Sequence, residues 1–141
     1  MKFRIVISGA FLVLGTIISA QSMVGLPKEE VAAIVKSDHR QFRIDNSVVK
    51  QRFNYLKYVN GIKTQTWILY FDDNDICKTS KLVCDYSEYN EIVEKLSETY
   101  EKVGESEWQF VQDGKTVEVD LIKQEWYFTI RETWKSQAKQ K

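Results

Sequence analysis

The sequence predicts a two-layer α+β domain in which a mostly antiparallel β-meander sheet carries two helices on one face. Three observations indicate this fold. Two segments have apolar residues at helical spacing, six segments alternate apolar and polar residues with period two, and short turn sequences join most of those six. The predicted order along the chain is α-βββ-α-βββ.

The two helices are predicted from the spacing of their apolar side chains. The first covers about residues 28–38, with Val31 and Val35 on one face. The second covers about residues 86–103 and has the longer stripe. That stripe comprises Tyr89, Ile92, Val93, Leu96, Tyr100 and Val103. Gly104 then closes the helix, because glycine readily adopts the left-handed conformation of a helix end.

The first three strands are predicted over Val49–Val59, Lys63–Phe71 and Ile76–Cys84. Asn60-Gly61 separates the first two strands, and it predicts a type I′ turn because both residues tolerate positive φ. Asp72–Asp75 forms the second turn, since Asp and Asn are common turn residues. Together these elements form one meander.

The last three strands follow the second helix and alternate around Trp108, Val119 and Phe128. Asp113-Gly114 predicts a tight hairpin between the first two of them. Residues 40–48, ahead of the first meander, fit either a short strand or an extended linker.

The alternation assigns one face of each strand to the core and leaves the other face open. The tryptophans Trp67, Trp108 and Trp126 have core parity. The opposite parity places a group of aromatic and apolar side chains, with one arginine, on the open face. These residues are Tyr58, Ile68, Tyr70, Tyr127 and Arg131. They form a candidate binding surface, because exposed apolar patches are often interaction sites. The alternative is partial cover by the first helix, by residues 40–48 or by the tail.

The amino terminus has the layout of a secretory signal peptide. Lys2 and Arg4 precede an apolar run from Ile5 to Ile18, and Ser19-Ala20 offers a small-residue cleavage site. The run is shorter than the roughly 20 residues of a membrane span, which favours cleavage over an uncleaved anchor. We expect a signal peptide over 1–20, one domain over 21–134, a frayed tail over 135–141, and export to the periplasm or the outside of the cell.

The charge of the mature chain argues against one class of partner. The sequence has 20 Lys and Arg and 20 Asp and Glu, and removal of Lys2 and Arg4 leaves 18 against 20, a net charge of −2. Nucleic-acid binding relies on a basic excess, so no nucleic-acid partner is expected. No second long apolar segment follows residue 20, so no membrane span is expected after cleavage.

Cys77 and Cys84 are the only cysteines, and they leave two alternatives open. An oxidising compartment favours a disulfide between them. A single straight strand opposes it, because seven residues would separate the two Cα atoms by roughly 23 Å and place the side chains on opposite faces. We favour slightly two unbridged cysteines packed as small apolar residues.

Other reactive residues have ordinary structural interpretations. Asp72–Asp75 departs from the calcium-binding EF-hand pattern, since Cys77 stands where that loop has glycine. His39 is the only histidine, and it suits a solvated helix end. Glu118 and Asp120 lie on one strand face as cross-strand charge partners. The sequence therefore predicts no catalytic, cofactor-binding or metal-ligating residue.

A short motif resembles known periplasmic domains. Gly25, Lys28, Glu29, Glu30 and Val31 match the Gly-x-x-Lys-Glu-Glu-Val start of the β-lactamase-inhibitor-protein-like and outer-membrane-assembly-lipoprotein groups. The chain as a whole also resembles small exported bacterial proteins of uncharacterised function. These resemblances imply a small α+β fold outside the cytoplasm and supply no activity.

Three functions fit these observations. The first is a non-catalytic exported binding module for a protein or a small molecule, which acts through the sheet face or a groove beside it. The second is a small exported enzyme, hydrolase-like, with a site assembled from scattered residues. The third is a structural envelope protein. A cavity lined by convergent polar groups with shifted pKa values would favour the enzyme over the binding module.

Overall fold

The computed structural model describes residues 22–47 and 52–136. The predicted signal peptide, the start of the strand predicted from Val49 and most of the predicted tail lie outside this part of the chain. The elements in chain order are α1 (Lys28–Asp38), β1 (Arg43–Ile44), β2 (Tyr55–Asn60), β3 (Gln65–Phe71), β4 (Cys77–Cys84), a 3-10 turn (Tyr86–Glu88), α2 (Tyr89–Thr99), β5 (Glu101–Gly104), β6 (Glu107–Gln112), β7 (Lys115–Lys123) and β8 (Phe128–Trp134).

The predicted α+β fold is confirmed. All eight strands form one antiparallel sheet in the order β1-β2-β3-β4-β8-β7-β6-β5. The chain builds this sheet as two four-stranded meanders that meet where β4 pairs with β8. Among the described residues, α1 packs on the first meander and α2 on the second, and both helices lie on the same sheet face.

Two apolar clusters fill the space between the helices and the sheet. The first contains Met23, Val31, Val35, Tyr58, Leu69, Phe71 and Cys77. The second contains Cys84, Tyr100, Trp108, Val119, Leu121, Phe128 and Ile130. Each meander therefore has its own core beneath its own helix.

The structure adds a fourth strand to each meander. Arg43 and Ile44 pair with Val59 and Tyr58, so the ambiguous segment 40–48 contains a short strand. The second addition corrects the predicted end of the second helix. That helix ends at Thr99, and Glu101–Gly104 forms β5 at the sheet edge.

Tyr100 explains why the helix ends early. Its ring stacks on Phe110 with the ring centroids 4.4 Å apart, and the side chain is buried. Val103 continues the helical spacing in the sequence but is 49% exposed on β5. Gly104 pairs with Glu107 in the sheet rather than closing a helix. Sheet pairing and aromatic packing thus outweigh the local helical pattern.

The predicted parity of β2 is wrong. Tyr58, expected on the open face, lies on the helix-covered face and is only 6% exposed. It pairs with Trp67 of β3, so the register with that neighbouring strand decides which way it faces. Phe53, which has the opposite parity to Tyr58 in the sequence, lies ahead of β2 and is 54% exposed. The sequence of β2 is apolar on both parities, so alternation alone could not fix its phase.

The two predicted glycine turns have different outcomes. Asp113 and Gly114 have φ of 52° and 77° and join paired Gln112 and Lys115, as expected for a tight I′-type turn. The type I′ prediction for Asn60-Gly61 is wrong. A four-residue turn follows Asn60, and Thr64 supplies the positive φ of 54°.

A β-bulge places both cysteines on the same face. Tyr70 pairs with Thr79 whereas Phe71 pairs with Cys77, so Lys78 is an extra residue on β4. The extra residue reverses the alternation of side chains along β4, so Cys77 and Cys84 both face the helices. The prediction that a single strand would place the two cysteines on opposite faces is therefore wrong. They lie in separate clusters as free, buried thiols. Burial raises the pKa of each thiol to about 12.

The last strand begins later than predicted. β8 starts at Phe128, and Trp126, expected in the core, lies in the preceding turn and is 78% exposed. The turn is closed by Gln124, whose N–H donates to the carbonyl oxygen of Tyr127 at 2.8 Å. The pairing of β7 with β8 ends at Lys123 and Phe128, which leaves Trp126 beyond the sheet.

Candidate functional site

A cavity of about 590 Å³ lies on the helix-covered face, between α2 and the segment that follows α1. We call it the central groove. Its apolar lining is Met23, Phe42, Ile62, Trp67, Leu82, Ile92, Leu96 and Ile130. Its polar lining is His39, Gln41, Asn60, Lys63, Gln65, Ser80, Glu88, Glu91, Lys95, Tyr100 and Glu132. The groove thus combines an apolar body with separate polar points.

Trp67 and Ser80 form the centre of the floor. The two residues lie on the neighbouring strands β3 and β4, and the indole Nε1–H donates to Ser80 Oγ at 2.8 Å. His39 and Phe42 hold the ring from the side, with centroid distances of 5.1 and 5.3 Å. The small side chain of Ser80 leaves space above the sheet while giving the indole its hydrogen-bond acceptor.

The β2–β3 turn closes one end of the groove. Asn60 is buried, and its Oδ1 accepts hydrogen bonds from the N–H groups of Ile62 and Lys63 at 3.1 and 3.3 Å. These bonds fix the tip of the turn. Ile62 stands at the mouth of the groove with its side chain 88% exposed. An apolar side chain so exposed at a cavity mouth is available for contact with a ligand.

Glu132 lies at the opposite end of the groove, on β8 beside Ser80 of β4. Ser22 Oγ donates to its Oε1 at 2.5 Å. Among the described residues no donor is hydrogen-bonded to Oε2. That atom is not fully buried. Burial raises the pKa of this carboxyl, and the hydrogen bond from Ser22 offsets part of the effect. A carboxyl that is costly to ionise therefore forms one end of an apolar cavity.

Glu88 provides a second carboxyl group, at the end of the groove that the β2–β3 turn closes. It precedes α2, and its Oε1 accepts a hydrogen bond from Gln65 Nε2 at 2.7 Å. Its Oε2 is buried without a hydrogen-bond partner in the described part of the chain. Glu88 and Glu132 thus each have one carboxyl oxygen that receives no donor from the described residues.

Three groups that line the groove have shifted pKa values, and burial is the leading cause of each shift. It lowers the pKa of His39 against the opposing charge of Asp38. It raises the pKa of Tyr100, to which the charge of Glu132 adds. It also raises the pKa of Glu132. Burial of the individual groups is therefore the main influence on their pKa values, and the charge of Glu132 acts on Tyr100 in addition.

The predicted binding surface is divided by the structure. Ile68 and Tyr70 of β3 lie on the open face, where Lys81 Nζ is 5.5 Å from the centroid of the Tyr70 ring. Arg131 lies on the same face, two strands away and beyond Lys81. Tyr58 faces the helices, as described above. Tyr127 lies outside the sheet in the β7–β8 turn and is 43% exposed.

The open face is charged as well as apolar. Arg131 Nη2 and Asp120 Oδ2 form an ion pair at 2.9 Å, which is the cross-strand pairing that the sequence predicted for this region. Glu118 pairs with Thr133 on the same face.

Asp72 accepts hydrogen bonds from the N–H groups of two following turn residues. In the described ranges no group of three or more His, Cys, Asp or Glu residues is arranged to hold a metal ion.

The sequence contains a signal for Glu132 that the prediction did not use. On β8 the residues Phe128, Ile130, Glu132 and Trp134 share one parity, so a carboxyl stands in phase with three apolar side chains. Such a residue is either exposed at a sheet end or buried for a specific purpose. Glu88 and Asn60 have no comparable signal, because both resemble ordinary cap and turn residues.

Comparisons with protein-family models, with curated proteins and with solved structures found no match to this chain. In the described ranges, no helix is both long enough and apolar enough to span a membrane.

Proposed function

We propose that the protein is an exported, non-catalytic binding module that holds a small amphiphilic ligand in the central groove. The observation that carries this proposal is the groove itself. Its volume of about 590 Å³ falls within the roughly 300–1,000 Å³ typical of small-molecule sites. Most of the surface that lines it is apolar, as is usual for such sites, although eleven of the nineteen lining residues are polar. The signal-peptide pattern supports export.

The arrangement of the lining favours an elongated ligand. Trp67, Leu82 and Ile130 form a continuous apolar floor across three neighbouring strands. A carboxyl group lies at each end of this floor, Glu88 beside Gln65 at one end and Glu132 at the other. A ligand with an apolar body and at least one polar end matches this distribution.

A neutral apolar dye tests the proposal. N-phenyl-1-naphthylamine should bind the purified protein at one site, with a rise in dye fluorescence. Replacing Ile62 by Ala removes apolar contact at the mouth, and each lost methylene is worth about 0.8 kcal/mol when fully buried. We expect the dye's Kd to rise by roughly threefold to tenfold, because the contact is partial.

Val111→Ala is the matched control. Val111 is also aliphatic and 71% exposed, but it lies on β6 and does not line the groove. This variant should bind the dye as the unaltered protein does. Absence of dye binding, or equal loss in both variants, would refute the groove as the binding site.

A second candidate is a small hydrolase-like enzyme that uses Glu132 as a general acid. The raised pKa of Glu132 within a cavity is the observation that favours it, because such a carboxyl holds its proton to a higher pH than an ordinary one does. A panel of nitrophenyl esters and glycosides tests this candidate. Turnover that Glu132→Gln abolishes would support the enzyme, and no turnover across the panel would favour the binding module.

A further inference from the structure

The charges around the central groove identify the kind of polar end that its ligand needs. Three carboxyl groups line the groove, those of Glu88, Glu91 and Glu132, against the two ammonium groups of Lys63 and Lys95. Burial lowers the pKa of His39 below its ordinary value of 6.5, so its imidazole is mainly neutral at pH 7. With all three carboxyls ionised, the lining has a net charge of −1, which a monocation complements.

The internal pairing of these charges leaves one end without a cation. Lys95 Nζ lies 3.5 Å from Glu91 Oε2, one helical turn apart on the outer wall. Lys63 belongs to the β2–β3 turn, at the end where Glu88 lies. Among the described residues none of the three ion pairs involves Glu132. The groups bonded to or paired beside Glu132 are Ser22, Ser80 and Val119, and all three are neutral.

We propose that the ligand is a primary amine with an elongated apolar body, whose ammonium group pairs with Glu132 while the body lies along Trp67, Leu82 and Ile130. This inference rests on the proposed function of the groove. An ammonium group supplies N–H donors to the Glu132 oxygen that receives none from the described residues, and it compensates the charge of the ionised carboxylate. An anionic head group would meet a carboxyl that forms no ion pair with any described residue.

A head-group series of constant chain length tests the inference. Decylamine, 1-decanol and decanoate would each compete with N-phenyl-1-naphthylamine at pH 7.5, below their micelle concentrations. We expect decylamine to displace the dye at about a tenfold lower concentration than either of the others, which corresponds to about 1.4 kcal/mol.

Two variants locate the preference. Glu132→Gln keeps the shape of the side chain and an acceptor for Ser22 but removes the charge, so decylamine and decanol should then compete within about twofold of each other. The matched control is Glu118→Gln on the open face of β7, which should keep the tenfold preference for the amine.

The outcomes separate this inference from the proposed function. Dye binding without a preference for the amine would overturn the inference and leave the groove as a binding site. A preference that persists in Glu132→Gln would also overturn it. Failure of the dye to bind would refute the proposed function.

Discussion

The two helices cover the same face of the sheet, but they are packed to different depths. α1 buries Val31 and Val35 almost completely, at 0 and 1% exposure. α2 has no fully buried residue, and its Ile92 and Leu96 line the central groove instead. Yet α2 has the longer apolar stripe in the sequence. The length of an amphipathic stripe therefore predicts that a helix forms, and it does not predict how closely the helix approaches its sheet.

The hydrogen bonds that attach each helix to the rest of the domain explain the difference. The chain entering α1 is hydrogen-bonded to the β4 region through Gly25 N–H to Cys77 O (2.7 Å), Cys77 N–H to Leu26 O (2.9 Å) and Lys28 N–H to Asp75 O (2.8 Å). α2 is held by side chains. Trp108 Nε1–H donates to Ser97 Oγ at 3.2 Å, and the Tyr86 hydroxyl donates to the carbonyl oxygen of Gln124 at 2.5 Å. Backbone pairing holds α1 close, whereas the contacts of α2 leave space beside it.

The largest loss of stability is expected at Gly25, in the segment that attaches α1 to the sheet. Gly25 has φ of +95°, and a Cβ there would lie 2.5 Å from Trp134 Cζ2. Gly25→Ala combines backbone strain with a clash, and each typically costs about 1–3 kcal/mol. We expect a loss of about 3 kcal/mol in the free energy of unfolding, measured by urea denaturation.

Two other glycines separate these contributions. Gly114 has φ of +77° with nothing within 4 Å of a Cβ, so Gly114→Ala should show only the strain, about 1 kcal/mol. Gly61 has neither strain nor a close neighbour, and Gly61→Ala should be nearly neutral. Equal losses of unfolding free energy at all three positions would show that the close packing of Gly25 against Trp134 adds nothing to stability.

The next effect compares the two helices directly. Val35→Ala removes fully buried methyl groups and should cost about 2 kcal/mol. Ile92→Ala removes more atoms but should cost less than about 1 kcal/mol, because part of the side chain already faces the groove. Urea unfolding of both variants measures the order. The reverse order would mean that α2 packs tightly and that the groove is closed in solution.

The smallest expected change in stability is at Glu132, and it depends on pH. Burial raises the pKa of this carboxyl in the folded protein above its ordinary value of 4.5, so the folded state binds the proton more tightly than the unfolded state. The contribution of Glu132 to stability is therefore lost as pH rises from about 4.5 through the raised pKa. Glu132→Gln should be more stable than the unaltered protein at pH 7 and equally stable below pH 4.

Unfolding curves at several pH values measure this contribution. Glu118→Gln on the open face serves as the control and should leave the pH dependence unchanged. A Glu132→Gln variant that is less stable at pH 7 would show that the carboxylate is well compensated in the folded protein.

The sequence predicted the fold better than the candidate site. Periodicity located both helices, and it located six of the eight strands of the described chain. The site depends on Glu132, Glu88 and Ser80, which lie on β8, ahead of α2 and on β4. These residues meet only because β4 pairs with β8 and α2 lies beside that seam. No local sequence pattern predicts that these three residues lie together. The position of Glu132 in phase with the apolar residues of β8 does indicate that its carboxyl faces the core.

By itself, the sequence determined the elements with strong local signals. The helical stripe around Val31, the positive-φ turn at Asp113-Gly114 and the alternation around Trp108 are local features, and the structure contains all three. Tertiary structure decided the phase of β2, the bulge that turns Cys77 towards the helices, the early end of α2 and the space beneath it. The physical reason is that local backbone geometry follows from neighbouring residues, whereas strand register and helix depth follow from contacts between residues far apart in the chain.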